Sequence, residues 1–325
     1  MKKLIFLLLL ITTLFFIVYT PKGKPIFYRV RESKKLKKEV IAGENWIRWL
    51  YYNPFGKLSL DLVVKKKFLS KFYGKMMDSK KSTKKIRPFI EDMDIDMSFY
   101  NDTIFSSFNH FFARKIKPSV RVVDTANNIL VSPADGKLLA FTGVDDFLVK
   151  GFEFDILKFT KDKELSKIFL DGDIVIIRLS PTDYHRFHFP ISGKISLLKK
   201  INGNLYSVSP LALSCIADIF LRNKREFVVI SSRQFGKILM AEVGATMVGS
   251  IVQTYKGKIA VKGEEKGFFK FGGSSIVLIF EKGKIEIDKD LLQNTKDGFE
   301  TFVRMGERIA KDKEKYKPLI VKIKN

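Results

Sequence analysis

The rhythm of apolar and polar positions changes twice along the chain. Residues 4–19 are apolar except for Thr12 and Thr13. From 21 to about 120 glycine is scarce and the pattern reads as mostly helical. Within it Phe105, Phe108, Phe111 and Phe112 stand at i, i+3, i+6 and i+7, one face of a helix. That stripe reads as core, and His110, which lies off it, is given no role. Trp46, Trp49, Leu50, Tyr51 and Tyr52 form an aromatic-rich stretch that suits either a membrane interface or ordinary helix packing. From about Ile129 short β-rich runs alternate with glycine turns, at 174–179, 227–231, 238–243, 250–255, 258–261, 276–280 and 284–287. Strands this short and this closely spaced predict an antiparallel sheet or barrel. Lys256-Gly257 and Lys282-Gly283 look like hairpin turns, and the tail 291–309 can be helical. The predicted fold class is α+β. A basic, mainly helical part (21–128) precedes a mainly antiparallel, β-rich, barrel- or sandwich-like domain (129–325).

Composition narrows the class. Hydrophobic residues make up 46% of the 325, enough to offset ordering entropy, so the chain is not intrinsically disordered. A single long apolar run excludes a polytopic membrane protein. The one cysteine, Cys215, excludes an intrachain disulfide and a Cys-rich zinc site, and has no assigned task. Three histidines leave little room for a His-ligated metal.

Charge adds a partner. The formal charge is +24, and +15 of it falls on residues 21–90, directly after the apolar run. Such a segment fits a nucleic acid, an anionic membrane surface or an acidic protein; lysine-rich composition accounts for part of the bias. No aromatic-basic RNA motif is present, so nucleic acid is not expected. The apolar run would span roughly 24 Å as a helix, against a hydrocarbon core of about 30 Å. That is short for a spanning helix and suits a signal peptide, yet the flank Thr20-Pro21-Lys22-Gly23-Lys24-Pro25 has no small-x-small cleavage pattern. Residues 1–20 are therefore a hydrophobic anchor or a signal. A retained anchor would keep the basic segment cytoplasmic and let it add roughly 1 kcal/mol per cation near anionic lipid.

Reactive side chains gather on three turn-like segments of the β-rich part. Ser132-Pro133-Ala134-Asp135-Gly136-Lys137 offers a carboxylate that either caps its own turn or serves catalysis. Ser180-Pro181-Thr182-Asp183-Tyr184-His185-Arg186-Phe187-His188-Phe189-Pro190 holds two of the three histidines. Imidazole suits proton transfer near neutrality; a structural pair and a metal site remain the alternatives, the latter lacking a carboxylate-rich or Cys partner. In Phe269-Lys270-Phe271-Gly272-Gly273-Ser274-Ser275 two glycines precede a serine that opens an apolar strand. A glycine bulge explains this as well as chemistry does. Asp, His and Ser on separate loops follow the logic of an activated serine. There is no Gly-x-Ser-x-Gly elbow and no P-loop, and the glycine-spaced segment 244–250 is a weak nucleotide loop.

In this order the segments resemble the pyruvoyl-dependent phosphatidylserine decarboxylases. The matching residues are Ser132-Pro133-Ala134-Asp135-Gly136, Asp183-Tyr184-His185-Arg186-Phe187-His188, Tyr206-Ser207-Val208-Ser209-Pro210-Leu211-Ala212-Leu213, Val243-Gly244-Ala245-Thr246 and Phe269-Lys270-Phe271-Gly272-Gly273-Ser274-Ser275. Phe108-Asn109-His110-Phe111-Phe112-Ala113-Arg114-Lys115-Ile116-Lys117-Pro118 also looks like the segment ahead of the family's core. The likeness runs from about Asn53 to about Ala310. Where the common bacterial signature is Leu-Gly-Ser-Thr, this chain has Gly-Gly-Ser-Ser, which keeps the Gly-Ser bond and leaves Ser275 as a second hydroxyl.

The resemblance implies a self-processing lyase. Asp135 would orient His188, and His188 would deprotonate Ser274. Ser274 would then attack the carbonyl of Gly273. Cleavage would give a β chain (1–273) and an α chain (274–325) whose first residue has become a pyruvoyl group. That ketone would condense with the substrate amine and accept electrons as CO2 leaves, with His185 assisting decarboxylation. Phosphatidylserine would be the substrate and phosphatidylethanolamine the product, with no metal and no pyridoxal phosphate. Tyr206, Gly244, Ala245 and Thr246 would bind substrate. The expected place is the cytoplasmic face of a bacterial cell membrane, and a homodimer is compatible with it. The rival reading is a non-enzymatic membrane-binding module with a β-rich partner-binding domain, in which the same loops are ordinary turns.

Overall fold

Continuous aliphatic runs, rather than alternating ones, mark the central strands. Residues 172–179 and 274–280 are buried at every position, as expected of strands covered on both faces. The computed structural model describes residues 3, 5, 18–64, 67–144, 147–149, 152–246, 250–272 and 274–313. The anchor or signal expected over 1–20 and the glycine of the expected cleavage site, Gly273, fall largely or wholly outside these. Among the described residues no helix is long and apolar enough to cross a membrane.

In chain order the strands are β1 (Phe27–Val30), β2 (Leu36–Lys38), β3 (Ile129–Val131), β4 (Gly136–Val144), β5 (Phe147–Val149), β6 (Phe152–Phe154), β7 (Gly172–Leu179), β8 (Arg186–His188) and β9 (Gly193–Ile201). There follow β10 (Arg225–Ser232), β11 (Gly236–Gly244), β12 (Ile251–Gln253), β13 (Ile259–Ala260), β14 (Glu265–Phe269), β15 (Ser274–Phe280), β16 (Ile285–Ile287), β17 (Thr301–Val303) and β18 (Arg308–Asp312). Ten form one sheet in the order β13-β9-β10-β11-β15-β7-β4-β17-β1-β2. All neighbours are antiparallel except β1 with β17. The α+β class holds, but the sheet is open, with β13 and β2 as its edges, so the barrel expectation does not.

One face of this sheet packs Ile174, Ile176, Val277 and Ile279 against the helices Glu44–Tyr52, Ile156–Thr160, Lys163–Ile168 and Ile219–Arg222. The other packs Val175, Ile177, Ile276 and Leu278 against the small sheets β12-β14-β8 and β16-β18-β3 and against Leu291 of the helix Lys289–Lys296.

Four local expectations change. The turns at Gly257 (φ 83°) and Gly283 (φ 72°) do form, but each carries the chain between different sheets, so neither closes a hairpin. The tail 291–309 is helical only to Lys296. Gly298 takes φ 95° and the Phe299 N–H bonds back to the Asn294 carbonyl at 2.8 Å, which stops the helix before β17. In the N-terminal part the segment Phe27-Tyr28-Arg29-Val30 is a strand, added to the sheet edge beside β17. The phenylalanine stripe is core, as expected, although its helix is only Phe108–Phe112. It is capped by the Ser107 hydroxyl, and its rings pack on Phe89 and Phe271.

Candidate active site

Ser274 is the first residue of β15 and pairs with Leu179 of β7 and Gly244 of β11. Strand alternation turns Ser274 and Ser275 to opposite faces of the sheet. Both hydroxyls are fully buried, and neither has a hydrogen-bond partner among the described residues. Burying an unpaired hydroxyl costs about 1–3 kcal/mol, so this strand end stores instability at a reactive group. Gly272, two residues ahead, has φ 140°, a backbone region that favours glycine.

The histidines lie on and just before β8, which pairs with the strand that precedes Ser274 in the chain. β8 pairs with β14, and the Phe269 N–H donates to the His185 carbonyl at 2.9 Å. Phe112 packs between the residue before β8 and the segment after β14, with its ring 3.9 Å from the His185 ring and 5.0 Å from that of Phe271. His185 Nδ1 lies 2.8 Å from the Asp183 carbonyl and His188 Nδ1 2.9 Å from that of Gly263. A carbonyl only accepts, so both Nδ1 atoms carry the proton and both Nε2 atoms a lone pair. The Tyr184 hydroxyl donates to His188 Nε2 at 3.2 Å, whereas His185 Nε2 has no partner among the described residues.

The Asp135 carboxylate is held by groups outside the expected triad. Its carboxylate accepts from Arg121 Nε at 2.9 Å and from the Met305 N–H at 2.8 Å. Among the described residues no hydrogen bond joins Asp135 to His188 or His188 to Ser274. Asp135 reaches His188 through its charge: burial lowers the imidazole's pKa, and the Gly263 bond, Glu265 and Asp135 oppose that shift. Burial likewise lowers His185, to about 3, with Arg114 and Lys137 adding to it and the Asp183 bond opposing.

Burial thus favours the neutral form of both rings, and for His185 this has a measurable cost. Below the ordinary histidine value of 6.5 the unfolded chain binds a proton that folded His185 refuses until about pH 3. Stability should fall through that window by about 1.4 kcal/mol per pH unit for this group. Urea unfolding at stepped pH should show a shallower acid decline for His185→Gln than for the parent; equal slopes would contradict it.

A cavity of about 250 Å³ opens between Trp46, Ile47, Leu50 and Tyr51, the turn 207–210, Thr246 and Phe271-Gly272. Of the four expected substrate residues only Thr246 lines it. Tyr206 and Gly244 are tied together by Asn223, whose amide donates to the Tyr206 carbonyl at 2.8 Å and to the Gly244 carbonyl at 2.9 Å. Ala245 is in the core. The cavity also meets Arg178, whose guanidinium is buried between Glu39 (2.7 and 2.8 Å) and Glu300 (2.9 Å). Burial works against the Glu39 charge, but Arg178 more than offsets it and holds that carboxyl at about 2. Sequence reasoning missed Arg178; its signal is a charge inside an otherwise apolar strand. Asn223, Glu39 and Glu300 left none. Among the described residues no His, Cys, Asp and Glu cluster could hold a metal.

A buried, unpaired serine at a glycine-led strand head, in a chain whose β8 segment carries two buried histidines with Nδ1 bonded to carbonyls, defines a candidate acyl-shift and proton-transfer site. Comparison with known proteins identifies the family. The profile described as phosphatidylserine decarboxylase matches residues 108–311. The phosphatidylserine decarboxylase proenzyme of Fusobacterium nucleatum is 51% identical over 294 residues, 89% of this chain and 98% of its own length. Those of Clostridium perfringens and Desulfitobacterium hafniense are 48% and 46% identical, over 86% and 88% of this chain and 97% and 98% of theirs. The chain belongs to the phosphatidylserine decarboxylase family. Nothing in these matches supports the non-enzymatic rival.

Proposed function

We propose that this protein cleaves itself between Gly273 and Ser274 and then decarboxylates phosphatidylserine to phosphatidylethanolamine and CO2. The observation that carries the reading is the buried, unpartnered Ser274 hydroxyl at the head of β15. His188 Nε2, a lone-pair acceptor, takes the Ser274 proton once it gives up Tyr184, and the charge of Asp135 favours the imidazolium that results. The Ser274 oxygen attacks the Gly273 carbonyl, and the peptide C–N bond gives way to an ester. Elimination breaks the Cβ–O bond and leaves the Gly273 carboxylate. Water then releases the serine nitrogen as ammonia.

A pyruvoyl ketone at 274 supplies an electrophile for an amine and a sink for the electrons left when CO2 departs. The chain's own part is to bind and to manage protons. His185 Nε2 takes up and returns the proton that replaces CO2. The cavity at Thr246 and the turn 207–210 receives the head group. The segments 1–273 and 274–313 stay together after cleavage, because β15 lies between β11 and β7, and β17 between β4 and β1.

The surface suits work on a bilayer at the cytoplasmic face. On the helix Lys67–Asp78, Phe68, Phe72 and Met76 stand exposed at i, i+4 and i+8, with Lys71 and Lys75 between them. Trp46, Leu58 and Leu62 are exposed as well, and Trp46 also lines the cavity. A fully buried ring is worth about 1.5–3 kcal/mol. Phe68→Ser with Phe72→Ser should therefore weaken binding to phosphatidylserine vesicles at least about tenfold while cleavage is retained. Unchanged binding in a sedimentation assay would count against this face.

The activity test is CO2 release from phosphatidylserine vesicles. It should be abolished by phenylhydrazine, which reacts with ketones. Release that the reagent leaves untouched would exclude the pyruvoyl reading.

A further inference from the structure

The His185 imidazole is fully buried, and its tautomer is set by one contact, the bond from Nδ1 to the Asp183 carbonyl. That carbonyl belongs to a turn held from several sides. The Asp183 N–H donates to the Ser180 carbonyl at 2.9 Å, and the Asp183 carboxylate accepts from the Ser180 N–H at 2.7 Å. Arg114 donates to the Thr182 carbonyl at 3.3 Å. The remaining tie comes from a different strand: Lys137, at the start of β4, donates to both Asp183 oxygens at 2.8 and 3.0 Å. The rings of Tyr28 and Phe302 stand 5.2 and 5.4 Å from the same ammonium. Both partners of the ion pair are nearly fully buried.

A buried ion pair is a weak contributor to net stability, because desolvation offsets the attraction. Its firm consequence here is geometric. It fixes the distance between β4 and the turn that ends in His185. Without it, Asp183 could rotate and His185 could carry its proton on either nitrogen.

We propose that Lys137 and Asp183 are positioning residues for decarboxylation. Their ion pair locks the turn so that the Asp183 carbonyl keeps the His185 proton on Nδ1 and leaves Nε2 bare for proton exchange. This rests on the reading of His185 as the group that handles the proton replacing CO2.

The test combines imidazole ¹⁵N NMR with kinetics. The chain has three histidines, so His185 can be assigned by loss of its signals in His185→Gln. In the parent protein its spectrum should show a single Nδ1–H tautomer. Asp183→Asn and Lys137→Met should turn this into a mixture of tautomers. In the cleaved fraction of each, kcat should fall about 10- to 100-fold, as expected when a reacting group is misplaced by about 1 Å, with KM little changed. Lys137→Arg should restore both readouts in part. A parent spectrum with the proton on Nε2 overturns the proposal whether or not any variant folds. So do Asp183→Asn and Lys137→Met proteins with parental tautomer and kcat. Full turnover by cleaved His185→Gln would instead defeat the role given to His185, leaving the tautomer measurement to judge the ion pair.

Discussion

Ser274→Ala protein is expected to accumulate as one chain of 37.4 kDa and to release no CO2 from phosphatidylserine. The substitution removes the only atom that can attack Gly273 in the proposed step. It should not harm the fold. The Ser274 hydroxyl is buried without a partner among the described residues, so alanine leaves no other group unpaired and relieves a penalty of about 1–3 kcal/mol. The uncleaved variant should thus unfold at equal or higher urea than the uncleaved parent chain. Two bands on a denaturing gel, or a variant clearly less stable than the parent, would contradict this.

The second large effect lies under the same strand. Lys266 of β14 and Glu242 of β11 are fully buried, with Nζ 2.7 and 2.8 Å from the two carboxylate oxygens and 2.9 Å from Gln253 Oε1. Glu242 lies opposite Ile276, two residues from the Gly244–Ser274 pair. Burial pushes Glu242 up and Lys266 down, and in each the partner's charge offsets only part of the shift. The pair is then costly to break and cheap to replace. Glu242→Leu alone strands a buried ammonium and should lose about 3–5 kcal/mol, whereas Glu242→Leu with Lys266→Met should be neutral or stabilising. Urea unfolding in the Ser274→Ala background, where a single chain unfolds, measures both. Equal losses in the single and double variants would show that the pair is a net stabiliser.

Much of the centre of this fold is legible in the sequence. The runs at 174–179, 238–243 and 276–280 are continuous, aliphatic and bounded by turn residues, and all three are strands. What escapes notice depends on distant partners. Phe27–Val30 is short and lies in a lysine-rich segment, and it is a strand because β17 lies beside it. The glycine turns at 257 and 283 are correct locally, but whether a turn closes a hairpin depends on which sheet receives the next strand. Chemistry divides in the same way. Motif residues such as His185, His188 and Ser274 stand out because their types and neighbours are unusual. Arg178 bonds Glu39 and Glu300 at separations of 139 and 122 residues, and no local pattern joins them. Asp135 was legible as a residue, but Arg121 and the Met305 N–H, which hold it, were not.

The most direct measurement of the central claim is the intact mass of the purified protein. Cleavage with conversion of Ser274 predicts two chains. The smaller should span 274–325, lighter by one ammonia than a chain that begins with serine, and closed to Edman degradation. A single mass of 37.4 kDa in protein that releases CO2, or a small chain beginning with free serine, would contradict it.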